Sequence, residues 1–193
     1  MRELRIHGRG GQGAVIASKL LASALFIEGQ SVQSFPAFGV ERRGAPVTAF
    51  LRFSEKPILL RCEIIAPDDL VVLDPTLIQA IDVTSGLKTG GSILINSELP
   101  PSGYPGLMKR FRVGTVDAGA IAQRFGLGSK TQPIVNTAIL GACAAFLGCV
   151  SLDAVCRAIR EDIPVRTDDN IAAARQAATE LRIEEHRKEA SHA

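Results

Sequence analysis

The most chemically suggestive residues in this chain are Gly8-Arg9-Gly10-Gly11-Gln12-Gly13, six residues from near its start. Glycines there allow positive φ and a close backbone approach to a ligand. The run follows a short stretch that alternates like a strand, Leu4-Arg5-Ile6-His7, and precedes a helical pattern from Ala14. A helix that starts on such a loop turns unpaired N–H groups and partial positive charge toward an anion. Arg9 and the Gln12 amide add side-chain donors, so the chemistry suggested is the holding of a phosphate or diphosphate.

A second cluster lies in Pro36-Ala37-Phe38-Gly39-Val40-Glu41-Arg42-Arg43-Gly44-Ala45-Pro46. Adjacent guanidiniums at Arg42 and Arg43 suit bidentate hydrogen bonding to phosphate, with Glu41 able to orient one of them and Gly44 giving the turn. A solvated charged turn and a subunit interface are the competing readings. A third cluster, Gln132-Pro133-Ile134-Val135-Asn136-Thr137, places Asn136 and Thr137 at the opening of an apolar helix, as ligand contacts or caps. Asp74-Pro75-Thr76 ends an apolar strand and reads as a helix cap rather than a catalytic acid. His7, at a strand end, reads as a hydrogen-bonded structural residue.

The formal GxGxxG invites a nicotinamide or flavin reading, which needs an acid about 20 residues on, at the end of the second strand. The second strand here ends near Ser34-Phe35-Pro36, and the nearest acid, Glu28, precedes it. The chain has no nucleophile elbow, P-loop or HExxH motif, so no catalytic residue and no metal ligand is assigned. Its four cysteines, at positions 62, 143, 149 and 156, lack CxxC spacing; Cys143, Cys149 and Cys156 fall in or beside one apolar helical stretch and read as small buried hydrophobes, in a cytoplasmic protein. Twenty-two basic against 20 acidic residues leave a formal charge of +2, which argues against nucleic-acid binding. The apolar run from Ile134 to Val150 carries glycines and lacks basic anchors, so it reads as a core helix rather than a membrane span.

These residues need a scaffold, and the order of patterns supplies one. Strands are expected at Leu4–His7, Ser31–Phe35, Val47–Phe53, Leu70–Leu73, Ile93–Asn96 and, last, Val113–Val116, with Pro57–Cys62 pairing as a hairpin. Helices are expected at Ala14–Glu28, Ala118–Phe125, Pro133–Leu147, Leu152–Glu161 and Asp168–Glu185. Ser151 and Thr167-Asp168 supply N-caps for the last two. The alternation indicates an α/β fold: a single domain over residues 1–185, with a mostly parallel sheet flanked by helices and a Rossmann-like glycine loop. Residues 186–193 read as a disordered tail.

The glycine loop, the segment from Phe35 to Val47 and Pro133-Ile134-Val135-Asn136-Thr137 together resemble the gamma subunit of the pyruvate:ferredoxin and related 2-oxoacid:ferredoxin oxidoreductases. Val71-Val72-Leu73-Asp74-Pro75-Thr76 also fits that family. The resemblance implies a division of labour. Thiamine diphosphate with Mg, and 4Fe-4S clusters, reside on alpha, beta and ferredoxin-like delta partners, and electrons pass to ferredoxin. The gamma module handles coenzyme A, which receives the acyl group after decarboxylation. Carried onto this chain, the resemblance implies that Gly8, Arg9, Gly10, Gly11, Gln12 and Gly13 line the pantetheine or diphosphate region. Glu41, Arg42, Arg43 and Gly44 meet the phosphates, while Asn136 and Thr137 add polar contacts. The arginine loop is closer to pyruvate and branched-chain members than to 2-oxoglutarate ones, with aryl-glyoxylate members also possible. A stand-alone NAD(P)- or flavin-dependent oxidoreductase and a purely structural docking subunit are the alternatives.

Overall fold

The computed structural model describes residues 1–37, 43–129 and 131–184. Glu41, Arg42 and the expected tail lie outside the described residues. Among the described residues one seven-stranded sheet runs in the order β2-β3-β1-β4-β5-β6-β7. Its strands are β1 (Arg2–Arg9), β2 (Ser31–Pro36), β3 (Pro46–Ser54), β4 (Asp69–Val72), β5 (Ser92–Asn96), β6 (Arg112–Val116) and β7 (Arg182–Ile183). The helices are α1 (Ala14–Ile27), α2 (Leu77–Ala80), α3 (Pro105–Met108), α4 (Ala118–Arg124), α5 (Ala138–Leu147), α6 (Leu152–Asp162) and α7 (Thr167–Glu180).

The α/β fold holds, but the sheet is mixed rather than mostly parallel. β1, β4, β5 and β6 form a parallel centre, while β2–β3, β3–β1 and β6–β7 are antiparallel. Burial explains the order. In β3 every residue from Ala49 to Phe53 is buried, so both faces are covered and it needs neighbours on each side. β2 carries Ser31, Gln33 and Ser34 and is only half-buried, which suits an edge. β3 therefore slots between β2 and β1, and the second strand in the chain does not neighbour the first.

Two layers cover the sheet. α1, α4, α5, α6 and α7 close one face, where Leu4, Ile6, Val71 and Leu94 meet Leu21, Leu25, Ile139 and Phe146. On the other face Leu70, Val72, Ile93 and Ile95 pack with Ile78 of α2 and with Leu107 and Met108 of α3. Alternation of Leu70, Val71 and Val72 between the two clusters is the period of two that a strand imposes. No helix among the described residues is long and apolar enough to cross a membrane.

Several boundaries differ from the sequence pattern. Pro57–Cys62 forms no strand, because side chains satisfy its carbonyls: Arg52 Nη2 donates to Cys62 O at 3.1 Å and Gln33 Nε2 to Ile58 O at 3.4 Å. α5 starts at Ala138 rather than Pro133; residues 133–134 instead pair back on 127–128, with the Ile134 amide donating to Leu127 O at 3.1 Å. Thr167 lies inside α7, its hydroxyl donating to Ile163 O, and left-handed Arg166 precedes it. α7 stops at Glu180, so that Arg182–Ile183 can add β7 beside β6, which is therefore not the last strand. Ser151 does cap α6, accepting from the Ala154 amide at 3.1 Å.

Candidate functional site

β1 and β4 are parallel neighbours, yet the helices that follow them go to opposite faces. α1 packs into the larger core and α2 onto the face of Leu70 and Val72. Such a divergence opens a crevice at the carboxyl ends of the two strands, where open α/β sheets bind ligands. The Leu73 amide donates to His7 O at 2.8 Å and closes its floor. The glycine loop forms one wall, and Leu73-Asp74-Pro75-Thr76 the other.

The loop from β2 to β3 reaches the same place. Because β2 and β1 both run antiparallel to β3, they point the same way, and the end of β2 lies at the crevice end of the sheet. Gly10 N donates to Ala45 O at 2.9 Å, and Gly44 N donates to Gly10 O at 3.1 Å. The structure thus joins two of the three clusters by backbone hydrogen bonds, with Gly10 bridged to Arg43.

Within the glycine loop, Gly11 and Gly13 have φ of 96° and 79°. Gly13 is the N-cap of α1 and offers no side chain to the first turn. Neither the Gly11 nor the Gly13 amide meets an acceptor among the described residues. Together with the first-turn amides of α1, they form an open set of donors. Asn136 lies directly against Gly13: a Cβ built there would stand 2.6 Å from Asn136 Nδ2. Asn136 is 5% exposed and its Oδ1 is buried without a partner. The third cluster thus joins the site through Asn136. Thr137 does not, because its hydroxyl donates to Asn170 Oδ1 at 2.6 Å in the helical layer.

The guanidinium of Arg9 is engaged within the protein rather than free to clamp an anion. Its Nε donates to Asp74 Oδ2 at 2.9 Å, Nη1 to Gly44 O at 3.1 Å and Nη2 to Thr76 Oγ1 at 2.8 Å. Gln12 is tied in as well: Oε1 accepts from the Arg9 amide at 2.8 Å and Nε2 donates to Asp74 Oδ2 at 3.2 Å. Thr76 donates to Asp74 Oδ1 through its amide at 3.0 Å and its hydroxyl at 2.6 Å. Burial opposes ionisation of Asp74, but the Thr76 hydroxyl and amide, then Arg9 and Gln12, outweigh it and hold the carboxyl below its usual range. Arg9 is thus paired with an acid, where the sequence suggests a free side-chain donor. Arg43 remains exposed, donating to Gln132 Oε1 at 2.9 Å.

Asp74 is the residue that sequence reasoning undervalued. It does not cap α2, whose N-cap is Thr76; its contacts to Thr76 close a turn ahead of that helix, and nothing local reveals Arg9 and Gln12, which lie 65 and 62 positions away. A cavity of about 550 Å³ extends from Pro75 and Thr76 along the ends of β4, β5 and β6, past Asn96, Glu98, Tyr104 and Asp117. His7 lies beneath the crevice, 6% exposed, with Nδ1 3.4 Å from Thr48 Oγ1 and Nε2 unpartnered. Burial, with some repulsion from Arg5, lowers its pKa to about 4. Cys143 and Cys156 are buried, Cys149 is half-buried and Cys62 is exposed. No group of three potential His, Cys, Asp or Glu metal ligands occurs among the described residues.

Fold and site define an α/β crevice module in which a glycine loop and an arginine-bearing loop are joined. On one side of β1 lies antiparallel β3, which begins at the crevice with Pro46-Val47; on the other, parallel β4 leads into Asp74, whose carboxylate is taken up by Arg9, Gln12 and Thr76 rather than left for a ribose. Residues 3–180 match the family model described as pyruvate ferredoxin/flavodoxin oxidoreductase. The common subunit gamma of the pyruvate/ketoisovalerate oxidoreductases of Pyrococcus abyssi is 48% identical over 186 residues, covering 95% of this chain and 98% of that one. Pyruvate synthase subunit PorC of Methanothermobacter marburgensis is 44% identical, over 93% of this chain and 97% of its own length. The crystal structure of pyruvate oxidoreductase subunit PORC from Thermotoga maritima superposes with a TM-score of 0.79 at 33% identity, covering 95% and 98% of the two chains. The fold also recurs in 2-oxoglutarate:ferredoxin oxidoreductase from Magnetococcus marinus, at a TM-score of 0.72 and 16% identity. That match covers 92% of this chain but only 30% of the larger one. The chain belongs to the pyruvate ferredoxin/flavodoxin oxidoreductase family, as a gamma-type subunit of a 2-oxoacid oxidoreductase.

Proposed function

We infer that this chain is the coenzyme A-handling subunit of a cytoplasmic 2-oxoacid:ferredoxin oxidoreductase acting on pyruvate or a branched-chain 2-oxo acid. The observation that carries the reading is the joined pair of loops: the open Gly11 and Gly13 amides and the start of α1 face the same crevice end as exposed Arg43. Coenzyme A is a polyanion whose diphosphate suits backbone donors at a helix start and whose 3′-phosphate suits a guanidinium. Asn136 fits the ligand too, having a buried carboxamide oxygen still to be satisfied. Arg42 and Glu41, next to Arg43 in the chain, complete the set the resemblance assigns.

On this reading the chain binds and orients coenzyme A, and the carbon chemistry belongs to its partners. Thiamine diphosphate and Mg on alpha and beta subunits supply decarboxylation, and 4Fe-4S clusters on a delta subunit pass electrons to ferredoxin. The Magnetococcus protein was solved with coenzyme A bound, but that likeness bears on fold alone. The coenzyme A reading rests on the crevice described above.

The test is thermal and calorimetric titration of the full chain with coenzyme A and with dephospho-coenzyme A. A ligand at 100 times its Kd adds about 2.7 kcal/mol to stability, a shift of several degrees. Coenzyme A is expected to stabilise the wild type more than the dephospho form does, and Arg43→Ala to narrow that difference. Equal stabilisation by both forms would remove the guanidinium–3′-phosphate pairing, and no stabilisation by either would remove the reading.

A further inference from the structure

An acid in the wall of a crevice read as anion-binding calls for an explanation, because its charge weakens the positive field there. Asp74 occupies that position. Its carboxylate accepts four hydrogen bonds, from Arg9, Gln12 and twice from Thr76. Those partners are not scattered. Arg9 and Gln12 bracket Gly10 and Gly11, and Gln12 also accepts from the Arg9 amide, so the loop is held at both ends of its turn. The other arm of Arg9 reaches Gly44 O, on the loop that bears Arg43. One carboxylate therefore links the end of β4, the glycine loop and the arginine-bearing loop.

We propose that Asp74 is the positioning residue of this crevice: through Arg9 and Gln12 it holds both loops in the geometry that presents the Gly11 and Gly13 amides to the ligand. Arg9 acts as a strut within the protein and not as a ligand clamp. The proposal rests on the coenzyme A reading for the identity of its ligand, but not for the loop geometry.

The two roles for Arg9 give opposite signs. If Arg9 clamps a phosphate, removing the neighbouring negative charge frees it and tightens binding of a polyanion. If Arg9 is a strut, removing Asp74 loosens the loops and weakens binding. The experiment compares wild type, Asp74→Ala and the isosteric Asp74→Asn as full chains, by hydrogen–deuterium exchange and by calorimetric titration with coenzyme A. Strut behaviour predicts that amide exchange in residues 9–13 and 43–46 rises about tenfold while β5 and α5 stay as protected as before. It also predicts that the Kd for coenzyme A rises about tenfold, as a small misplacement of binding groups requires. Asp74→Asn, which keeps a carbonyl acceptor and the side-chain shape, serves the same comparison if the alanine variant does not fold. Unchanged loop exchange, or tighter binding, would overturn the proposal. Raised loop exchange in a protein whose wild type fails to bind coenzyme A would support the positioning role and defeat the ligand assignment alone.

Discussion

Replacing Gly13 by alanine challenges the site at its tightest point, and the cost can be assembled from two separate causes. The residue sits at φ 79°, a left-handed conformation that costs an L-residue roughly 1–2 kcal/mol. The added Cβ would also stand 2.6 Å from Asn136 Nδ2, closer than real Cβ contacts come, and a tight 3.2 Å from its Cβ and Cγ. Asn136 is 5% exposed and has little room to retreat, so overpacking adds about 1–3 kcal/mol. Gly13→Ala should thus lose about 2–5 kcal/mol in urea unfolding of the full chain, with an unchanged m-value. The double variant Gly13→Ala/Asn136→Ala removes the clashing amide and should recover part of that loss, leaving mainly the left-handed strain. Asn136→Ala by itself should cost little, since Oδ1 has no partner to lose. A Gly13→Ala protein within about 0.5 kcal/mol of wild type would refute the geometry, as would strict additivity in the double variant.

Two further outcomes follow from buried charge and buried neutrality. Arg52, 1% exposed, is held by Glu3 Oε1 at 2.7 Å, Gln33 Oε1 at 3.2 Å and Cys62 O at 3.1 Å. Arg52→Met should lose about 3–5 kcal/mol in urea unfolding and expose residues 57–66 to early proteolysis, and an unaltered digestion map would show that the segment is held by other means. His7 is neutral in the folded protein because burial lowers its pKa from 6.5 to about 4. Unfolded chains bind the proton first, so the stability His7 contributes is complete above pH 6.5 and is lost as pH falls to 4. The loss is roughly 3 kcal/mol in full. Unfolding free energies measured across that range should fall more steeply for wild type than for His7→Leu, and parallel curves would count against a buried neutral imidazole.

Much of the fold can be read from local pattern. The period of two in Val47–Phe53, the apolar run of Leu70–Leu73 and the glycine run leading into Ala14 all place elements close to where the structure has them. Each is set by the chain's own neighbours, through the pattern of apolar residues and turn chemistry. Where the local reading misses, a distant group has taken over a backbone hydrogen bond. Arg52 and Gln33 occupy the carbonyls of the 57–62 segment that would have paired as a strand, and residues 133–134 pair back on 127–128 instead of opening the helix. The placing of β3 rather than β2 beside β1 has the same character, because which strand becomes interior depends on both sheet faces being covered.

The residue types of the crevice are therefore properties of the sequence alone: glycines that permit a left-handed turn, a helix that begins with open amides, arginines in a short loop and an amide near a helix start. Which of those charges faces a ligand is not. Arg9 and Arg43 look equivalent in the chain, yet Arg9 is tied to Asp74, Thr76 and Gly44 while Arg43 stays at the surface. A guanidinium's availability depends on the acceptors within hydrogen-bond reach, and for Arg9 these come from positions 35 to 67 residues away. Only the folded sheet, by setting the end of β4 beside the end of β1, brings them there.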